Sequence, residues 1–162
     1  MTSSGSDEGH IPNYLLCNND TLRKAARNLT RLYDDVLSPS TLRIGQLSVL
    51  LHIDELREPT IKGLAKVLVM DESALGHTLK PLIRDGLVRL VPNPADRRSK
   101  LVTLTKNGEK KLAEAAALWS DAQNKFEQVF GADKAATLRA AMITLTSVDF
   151  TSAYTALMSK DE

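Results

Sequence analysis

The apolar residues of this chain recur mainly at three- and four-residue spacing, which is the period of amphipathic α-helices. In the N-terminal part, the pattern predicts a helix that begins near Asp20 and keeps its apolar stripe to Val36. The Ser-Pro-Ser sequence at residues 38–40 then breaks the pattern, because proline and serine favour turns. A second helix is predicted from about Ile44 to Leu56.

Two shorter helices are predicted next, and only a tight turn separates them. The first has its apolar positions at Ile61, Leu64, Val67 and Leu68. Asp71 is well placed to cap the second. The second has its apolar positions at Leu75, Leu79, Leu82 and Ile83. Gly86 ends it, since glycine tolerates the left-handed conformation just past a helix. The order of these segments indicates a helix-turn-helix.

Two β-rich runs follow, at residues 87–91 and 101–104. The linker between them, residues 92–100, contains two prolines and carries two adjacent arginines near its tip. A helix pair followed by a basic hairpin is the order of a winged helix-turn-helix. The predicted fold class is therefore mainly α with a small β-hairpin wing, and further helices flank the winged module on its N- and C-terminal sides.

Beyond the hairpin, Thr105 is suited to cap a long helix that reaches about Phe130. Gly131 is expected to end this helix and Asp133 to cap the next one. We expect four regions in the chain. They are a mobile N-terminal arm (residues 1–13), N-terminal helices (14–57), the winged module (58–111) and C-terminal helices (112–162).

The hairpin sequence resembles that of a known family. Residues 96–108, DRRSKLVTLTKNG, resemble the wing signature of the MarR family (multiple antibiotic resistance regulators), an Asp-x-Arg followed by Leu-x-x-Leu-Thr-x-x-Gly. Residues 70–73 and 85–88 are similar to the entry and exit of the family's recognition helix. The resemblance covers the winged module closely and the flanking helices in pattern only. It implies a transcriptional regulator that binds double-stranded DNA and is expected to be a repressor.

The flanking helices carry more apolar surface than one subunit is expected to cover. In the MarR family, the N- and C-terminal helices of two subunits interleave into a dimer. The resemblance therefore implies that both sets of flanking helices are dimerisation helices and that the protein is a homodimer. Two-fold symmetry would then imply a pseudo-palindromic DNA site.

Charge is unevenly distributed along the chain, although the net charge is only +1. Between Lys80 and Lys111 there are nine basic and three acidic residues, a net charge of +6, so the remainder of the chain carries −5. A localised basic patch on a near-neutral protein is expected for nucleic-acid binding. A solvated lysine-rich surface is the alternative, and it is less favoured because the patch centres on the hairpin.

Composition narrows the class of protein further. With 162 residues and 43% apolar content, the chain suits one domain, or one small domain with an oligomerisation element. No apolar run approaches membrane-spanning length, and the N-terminus lacks the plan of a signal peptide. One cysteine excludes an intrachain disulfide framework. We expect a cytoplasmic protein with no membrane partner.

On the second helix of the pair, the face opposite the leucines carries short hydrogen-bonding side chains near its start and cations further along. Short hydrogen-bonding side chains suit readout in the major groove, and cations suit contacts with bases or phosphates. The candidate DNA-binding residues on this helix are Ser73, Ala74, His77, Thr78, Lys80 and Arg84. An ordinary solvated face is the alternative. Pro81 removes one helical hydrogen bond, and we expect a bent but continuous helix.

A second set of candidate DNA-binding residues lies on the hairpin, at Asp96, Arg97, Arg98 and Lys100. The resemblance implies that Asp96 pairs with and orients Arg98. It also implies that one of the two arginines enters the minor groove, where narrow A·T-rich segments attract arginine. A hairpin tip that is charged only for solubility is the alternative.

The sequence contains no recognisable catalytic constellation. The three histidines lie far apart, without cysteines or carboxylates at metal-ligand spacing. A Gly-rich phosphate loop and a nucleophile elbow are both missing from the sequence. We expect no catalytic residue, no metal and no cofactor. An architectural or protein-interaction winged helix without sequence-specific regulation is the alternative function.

Two kinds of signal are candidates for such a regulator, an oxidant and a small aromatic molecule. Cys17 lies just before the first helix, and the peroxide-sensing branch of the MarR family also carries a cysteine near this point. A helix N-terminus favours the thiolate, which is the form that reacts with oxidants. Alternatively, Cys17 packs at the dimer interface beside Leu15 and Leu16, and an aromatic acid binds between the first helices and the winged module.

Overall fold

The predicted elements form close to their expected places in the computed structural model, which describes residues 16–159. The predicted mobile arm, residues 1–13, lies outside the described residues. The fold class is confirmed: within the described part, helices precede and follow one antiparallel hairpin. In chain order the elements are α1 (Asn18–Leu37), a 3₁₀ helix (Ser38–Ser40), α2 (Ile44–Leu56), α3 (Ile61–Val67), α4 (Glu72–Arg84), β1 (Val88–Pro92), β2 (Lys100–Leu104), α5 (Lys106–Phe130), α6 (Ala132–Leu145) and α7 (Val148–Met158).

The start of α2 is capped by a residue of α1. Arg43 occupies the cap position, but a guanidinium has no hydrogen-bond acceptor. Asp34 Oδ1 accepts instead from Ile44 N at 2.7 Å. Gln46 Oε1 accepts from Arg43 N at 2.9 Å, and Asp34 also pairs with the Arg43 guanidinium at 3.3 Å. The cap therefore holds α1 against α2 as well as starting the helix.

The buried face of α3 differs from the prediction at one position. Val67, which the pattern places on the apolar face, is 48% exposed, and Ala65 is buried instead. The reason is geometric, because Ala65 rather than Val67 completes the i, i+3, i+4, i+7 row that starts at Ile61. In α4, the expected cap is confirmed, since Asp71 Oδ1 accepts a backbone hydrogen bond at 2.6 Å. The helix also continues through Pro81, as expected.

The hairpin β1–β2, with its connecting loop at residues 93–99, forms the wing. The two strands pair antiparallel with Val88 opposite Leu104, within one residue of the predicted bounds. Val102 N donates to Pro59 O at 2.8 Å, so the segment before α3 also pairs with β2. The base of the wing is therefore held by the helix pair and is not a free ribbon.

A cluster of buried aliphatic side chains joins α2, the helix pair, the wing and the end of α1. Its fully buried members include Leu37, Leu47, Leu50, Ile53, Leu64, Leu75, Leu82, Val88 and Val102. Each such side chain contributes roughly 1.5–3 kcal/mol on burial. The winged module therefore has a core that fixes the orientation of α4 relative to the wing.

The C-terminal helices lie mostly outside this core. The bounds and the Thr105 cap of α5 agree with the prediction. The prediction that Asp133 caps the next helix is wrong, because α6 begins at Ala132 and Gly131 occupies the cap position. Gly131, with φ of 94°, turns the chain so sharply that the helix restarts at once and Asp133 falls in its first turn. The structure buries only Ala135 in α6, and no residue in α7.

Candidate nucleic-acid interface

α4 turns its predicted DNA-binding face towards solvent. Because its leucines point into the core, the opposite face remains accessible. The exposed residues on that face are Ser73, His77, Lys80 and Arg84, and the half-buried ones are Ala74 and Thr78. The structure therefore brings all six predicted residues of this helix onto one surface.

The first half of this face allows a partner to approach the helix backbone closely. A Cβ atom built on Gly76 would meet no atom within 4 Å. Beside it, the Thr78 hydroxyl donates to Ala74 O at 3.3 Å, which leaves its oxygen able to accept a hydrogen bond. This geometry suits contact with base edges, which present both donors and acceptors in the major groove.

Arg84 and Lys80 differ in their surroundings, although the sequence suggests the same role for both. Arg84 Nε donates to Asp85 Oδ1 at 2.8 Å. This hydrogen bond raises the pKa of Arg84 and lowers the pKa of Asp85. Lys80 is exposed, and no ion pair within residues 16–159 involves it. Lys80 therefore offers its full charge to a phosphate, whereas Arg84 would first have to leave Asp85.

At the tip of the wing, the Asp96 carboxylate binds the backbone of Arg98. Its Oδ1 accepts from the backbone N–H of Arg98 at 3.0 Å. Within residues 16–159 no ion pair joins Asp96 to an arginine side chain. The contact between Asp96 and Arg98 is therefore made through the backbone N–H and not through the guanidinium. Arg97, Arg98 and Lys100 are all exposed, so Asp96 fixes the backbone and leaves the cations free to contact DNA.

A groove between the wing and the helix pair adds residues that the sequence did not single out. It has a volume of about 540 Å³. Lys62 of α3 and Glu72 of α4 line it opposite Arg98 and Lys100. Lys62 is exposed as the second residue of α3, and the helix-turn-helix pattern could have suggested it as a phosphate contact.

The family-like Leu-Thr-x-x-Gly signature has a clear structural role at the junction of α4, β1 and α5. Thr105 Oγ1 donates to Gly86 O at 2.6 Å and accepts from Gly108 N at 3.0 Å. Thr105 N donates to Leu87 O at 3.0 Å. A Cβ atom on Gly108 would overlap the same Leu87 carbonyl. The signature therefore fixes the exit of α4 against the start of α5.

A second groove lies between α1, α5 and α6, away from the wing, with a volume of about 590 Å³. Four polar side chains form a chain of hydrogen bonds along it. Tyr33 donates to Gln123 at 2.9 Å, and Gln123 donates to Glu127 at 3.0 Å. Arg139 also donates to Glu127 at 3.0 Å. Burial raises the pKa of Tyr33. Apolar groups, including Trp119, form most of the remaining wall.

Cys17 is exposed at the start of α1, where its Sγ accepts from Asp20 N at 3.5 Å. It therefore serves as the N-cap of that helix. Among residues 16–159, no three His, Cys, Asp or Glu side chains lie close enough together to hold a metal ion. In the same part of the chain, no helix combines the length and the apolar character needed to cross a membrane.

Comparison with known proteins gives the same family by sequence model and by relatives. The model of the MarR family matches residues 42–100. The chain is 35% identical over 109 residues to the multiple antibiotic resistance protein MarR of Escherichia coli (strain K12). The aligned region covers 67% of this chain and 76% of that protein.

Solved structures share the fold over most of their length. A cysteine-to-serine variant of Escherichia coli MarR, complexed with operator DNA, matches with a TM-score of 0.74 and 29% identity, covering 82% of this chain and 96% of that one. The transcriptional regulator MosR of M. tuberculosis, in complex with DNA, matches with a TM-score of 0.73 and 33% identity, covering 80% of this chain and 93% of that one.

Proposed function

Because the chain belongs to the MarR family of DNA-binding transcriptional regulators, we propose that it is a homodimeric repressor of a pseudo-palindromic operator. An oxidant or a small aromatic molecule releases it from that operator. MarR-family proteins are regulators and not enzymes, so the proposal includes no catalytic site.

One observation carries the DNA-binding part of the proposal. The exposed face of α4 and the cations at the wing tip belong to one rigid module, joined through the buried core and the Thr105 junction. A helix in the major groove beside a wing in the minor groove requires two such surfaces at a fixed separation. The DNA complexes of the Escherichia coli and M. tuberculosis relatives support this use of the fold.

The apolar surface of the C-terminal helices supports the homodimer. Val129 at the end of α5 is 90% exposed, and Ile143 in α6 is 64% exposed. Exposed apolar side chains mark an interaction site where they form a large patch. A second copy of the chain is the proposed partner, since a two-fold dimer would place two α4 helices on one face of DNA.

Footprinting on sites selected from a random DNA pool tests the proposal. We expect two protected half-sites whose centres lie about one helical turn, roughly 10 base pairs, apart. Competition with random DNA should leave the selected sites occupied, because a specific regulator prefers its site by roughly 10³-fold or more. A single asymmetric half-site bound by a monomer would contradict the dimer. Equal competition by random DNA would favour the architectural alternative.

His77→Ala and Lys80→Ala should weaken operator binding in different ways. Loss of a base contact from His77 should relax preference at particular positions and cost roughly 1–3 kcal/mol. Loss of a phosphate contact from Lys80 should weaken all sequences alike and reduce the salt-dependence slope by about one unit. Both are measured by fluorescence anisotropy on a set of single-base operator variants at several salt concentrations.

Arg84→Ala is the matched control for Lys80→Ala, because both changes remove one exposed cation from α4. The Arg84 charge is already compensated by Asp85, so its loss should change the salt slope less than the loss of Lys80. Unchanged affinity for both His77→Ala and Lys80→Ala would show that DNA does not contact this face of α4.

Two features support the two kinds of signal. The groove between α1, α5 and α6 lies away from the winged module and is not the site expected from the sequence, but its aromatic walls suit a small aromatic molecule. The guanidinium of Arg139 in its wall is paired with Glu127, so an acidic ligand would have to compete with that carboxylate. Cys17 is exposed at the N-terminus of α1, where oxidants can reach its thiol.

Titration with an organic peroxide should distinguish these signals. If Cys17 is the sensor, the wild-type protein should leave its operator, whereas Cys17→Ser should stay bound. Serine is a suitable replacement because it preserves an N-cap acceptor for α1. The measurement is operator binding by anisotropy, with mass spectrometry to detect oxidation of the thiol. Wild-type binding that survives full oxidation of Cys17 would assign the signal to a ligand.

A further inference from the structure

The connecting loop of the wing is closed by a hydrogen-bonded clamp between Asn93 and Ser99. Asn93 Nδ2 donates to Ser99 Oγ at 2.8 Å, and Asn93 N donates to Ser99 O at 3.3 Å. The other side-chain atom of Asn93, Oδ1, accepts from Ala95 N at 3.0 Å. Asn93 therefore binds both arms of the loop with one side chain.

Ser99 completes the clamp from the other side. Its hydroxyl donates to Asp96 O at 3.2 Å, while the same oxygen accepts from Asn93. Ser99 N also donates to Asp96 O at 3.0 Å. Asn93 and Ser99 are half-buried, whereas the five residues between Asn93 and Ser99 are all exposed. The clamp is therefore the structured part of a loop whose tip lacks core contacts of its own.

A loop tip with few buried contacts opens easily unless hydrogen bonds hold it. The two arginines of this tip have long side chains, and ordering them together with a mobile backbone would weaken binding. A backbone that is already fixed removes part of that cost. The hydrogen bonds of Asn93 and Ser99 fix the backbone on both sides of Arg97 and Arg98.

We propose that Asn93 and Ser99 are positioning residues that hold the tip of the wing in the shape in which Arg97 and Arg98 contact DNA. They touch no DNA themselves in this proposal. The proposal rests on the proposed DNA-binding function, but the order of the tip can be measured without DNA.

Limited trypsin digestion of the full-length protein measures that order, because trypsin cleaves after Arg97 and Arg98. Asn93→Ala and Ser99→Ala should each raise the cleavage rate at these two bonds roughly 3- to 10-fold, as loss of a net hydrogen bond would. Ser99→Thr keeps the hydroxyl and should restore slow cleavage. Asn107→Ala removes an exposed amide in the first turn of α5 and should cleave at the wild-type rate. Mass spectrometry identifies the two bonds among all tryptic sites.

Operator binding by the same variants tests the positioning role. Asn93→Ala and Ser99→Ala should bind A·T-flanked operators roughly 3- to 10-fold more weakly, with a smaller loss on G·C-rich flanks. Their Tm should match that of the Asn107→Ala control, which separates a local change in the wing from global unfolding. Ser99→Thr should restore the flank preference together with slow cleavage.

The outcomes distinguish this inference from the proposed function. Unchanged cleavage in both alanine variants would overturn the clamp. Faster cleavage with unchanged operator binding would overturn the positioning role while the DNA-binding function stands. A wild-type protein that binds no DNA sequence preferentially would overturn the proposed function and the positioning role together, and the cleavage rates would still report whether the clamp exists.

Discussion

Gly108→Ala should lower the free energy of unfolding by about 3 kcal/mol, at the upper end of the usual cost of overpacking. Gly108 lies in the first turn of α5, where an added Cβ would overlap the Leu87 carbonyl. A backbone atom cannot rotate aside as a side chain can, and Leu87 O already accepts from Thr105 N at 3.0 Å. The whole junction between α5 and the wing would therefore have to shift.

The matched control is Gly76→Ala, which makes the same substitution inside α4. Open space surrounds the Cβ position of Gly76, and alanine stabilises a helix interior by about 0.5–1 kcal/mol relative to glycine. Urea denaturation followed by circular dichroism should move the two midpoints in opposite directions. A Gly108→Ala midpoint equal to that of the wild type would show that the junction adjusts to the added Cβ at little cost. The hydrogen bonds of Thr105 would then be sufficient to hold it.

Replacement of both Arg97 and Arg98 by alanine should weaken operator binding about 100-fold, if each cation contributes roughly 1.4 kcal/mol. Both side chains are exposed at the tip of the wing. The loss should be largest on operators with A·T-rich flanks, because a narrow minor groove has an enhanced negative potential that attracts arginine. Anisotropy titrations on two operators that differ only in their flanks provide the measurement.

A double substitution of Arg23 and Arg27 by alanine controls for the loss of two positive charges. These arginines are exposed on α1, so their removal should lower affinity only through the weak, salt-screened field of the whole protein. Equal losses on both kinds of flank for the wing variant would indicate phosphate contacts only. A wing variant that behaves like the α1 control would show that the wing does not contact DNA.

The helices were predictable because each carries a local signal. Spacing of apolar residues sets the buried faces, and Asp71 and Thr105 mark the starts of α4 and α5 within three residues of the groups that they cap. The cap of α2 was not predictable in this way, because Asp34 acts from α1, ten residues away. The error at Asp133 has a similar origin, since the conformation of Gly131 decided where α6 begins.

The candidate site was predictable in position but not in its contacts. The alternation of leucines with polar residues was enough to place His77 and Lys80 on an exposed face. It could not show that Arg84 pairs with Asp85, or that Asp96 binds a backbone N–H and not a guanidinium. Such contacts depend on side-chain rotamers and loop geometry, which the spacing of residues in a sequence does not reveal.

α7 buries no residue within one chain, and Leu157 in it is 65% exposed. In the proposed homodimer these groups leave water only when a second chain arrives, so part of the folding free energy depends on encounter between chains. Apparent Tm would then rise with protein concentration. At low protein concentration, the undimerised chains would be degraded more often by proteases. The abundance of the protein would thereby help to set its own lifetime.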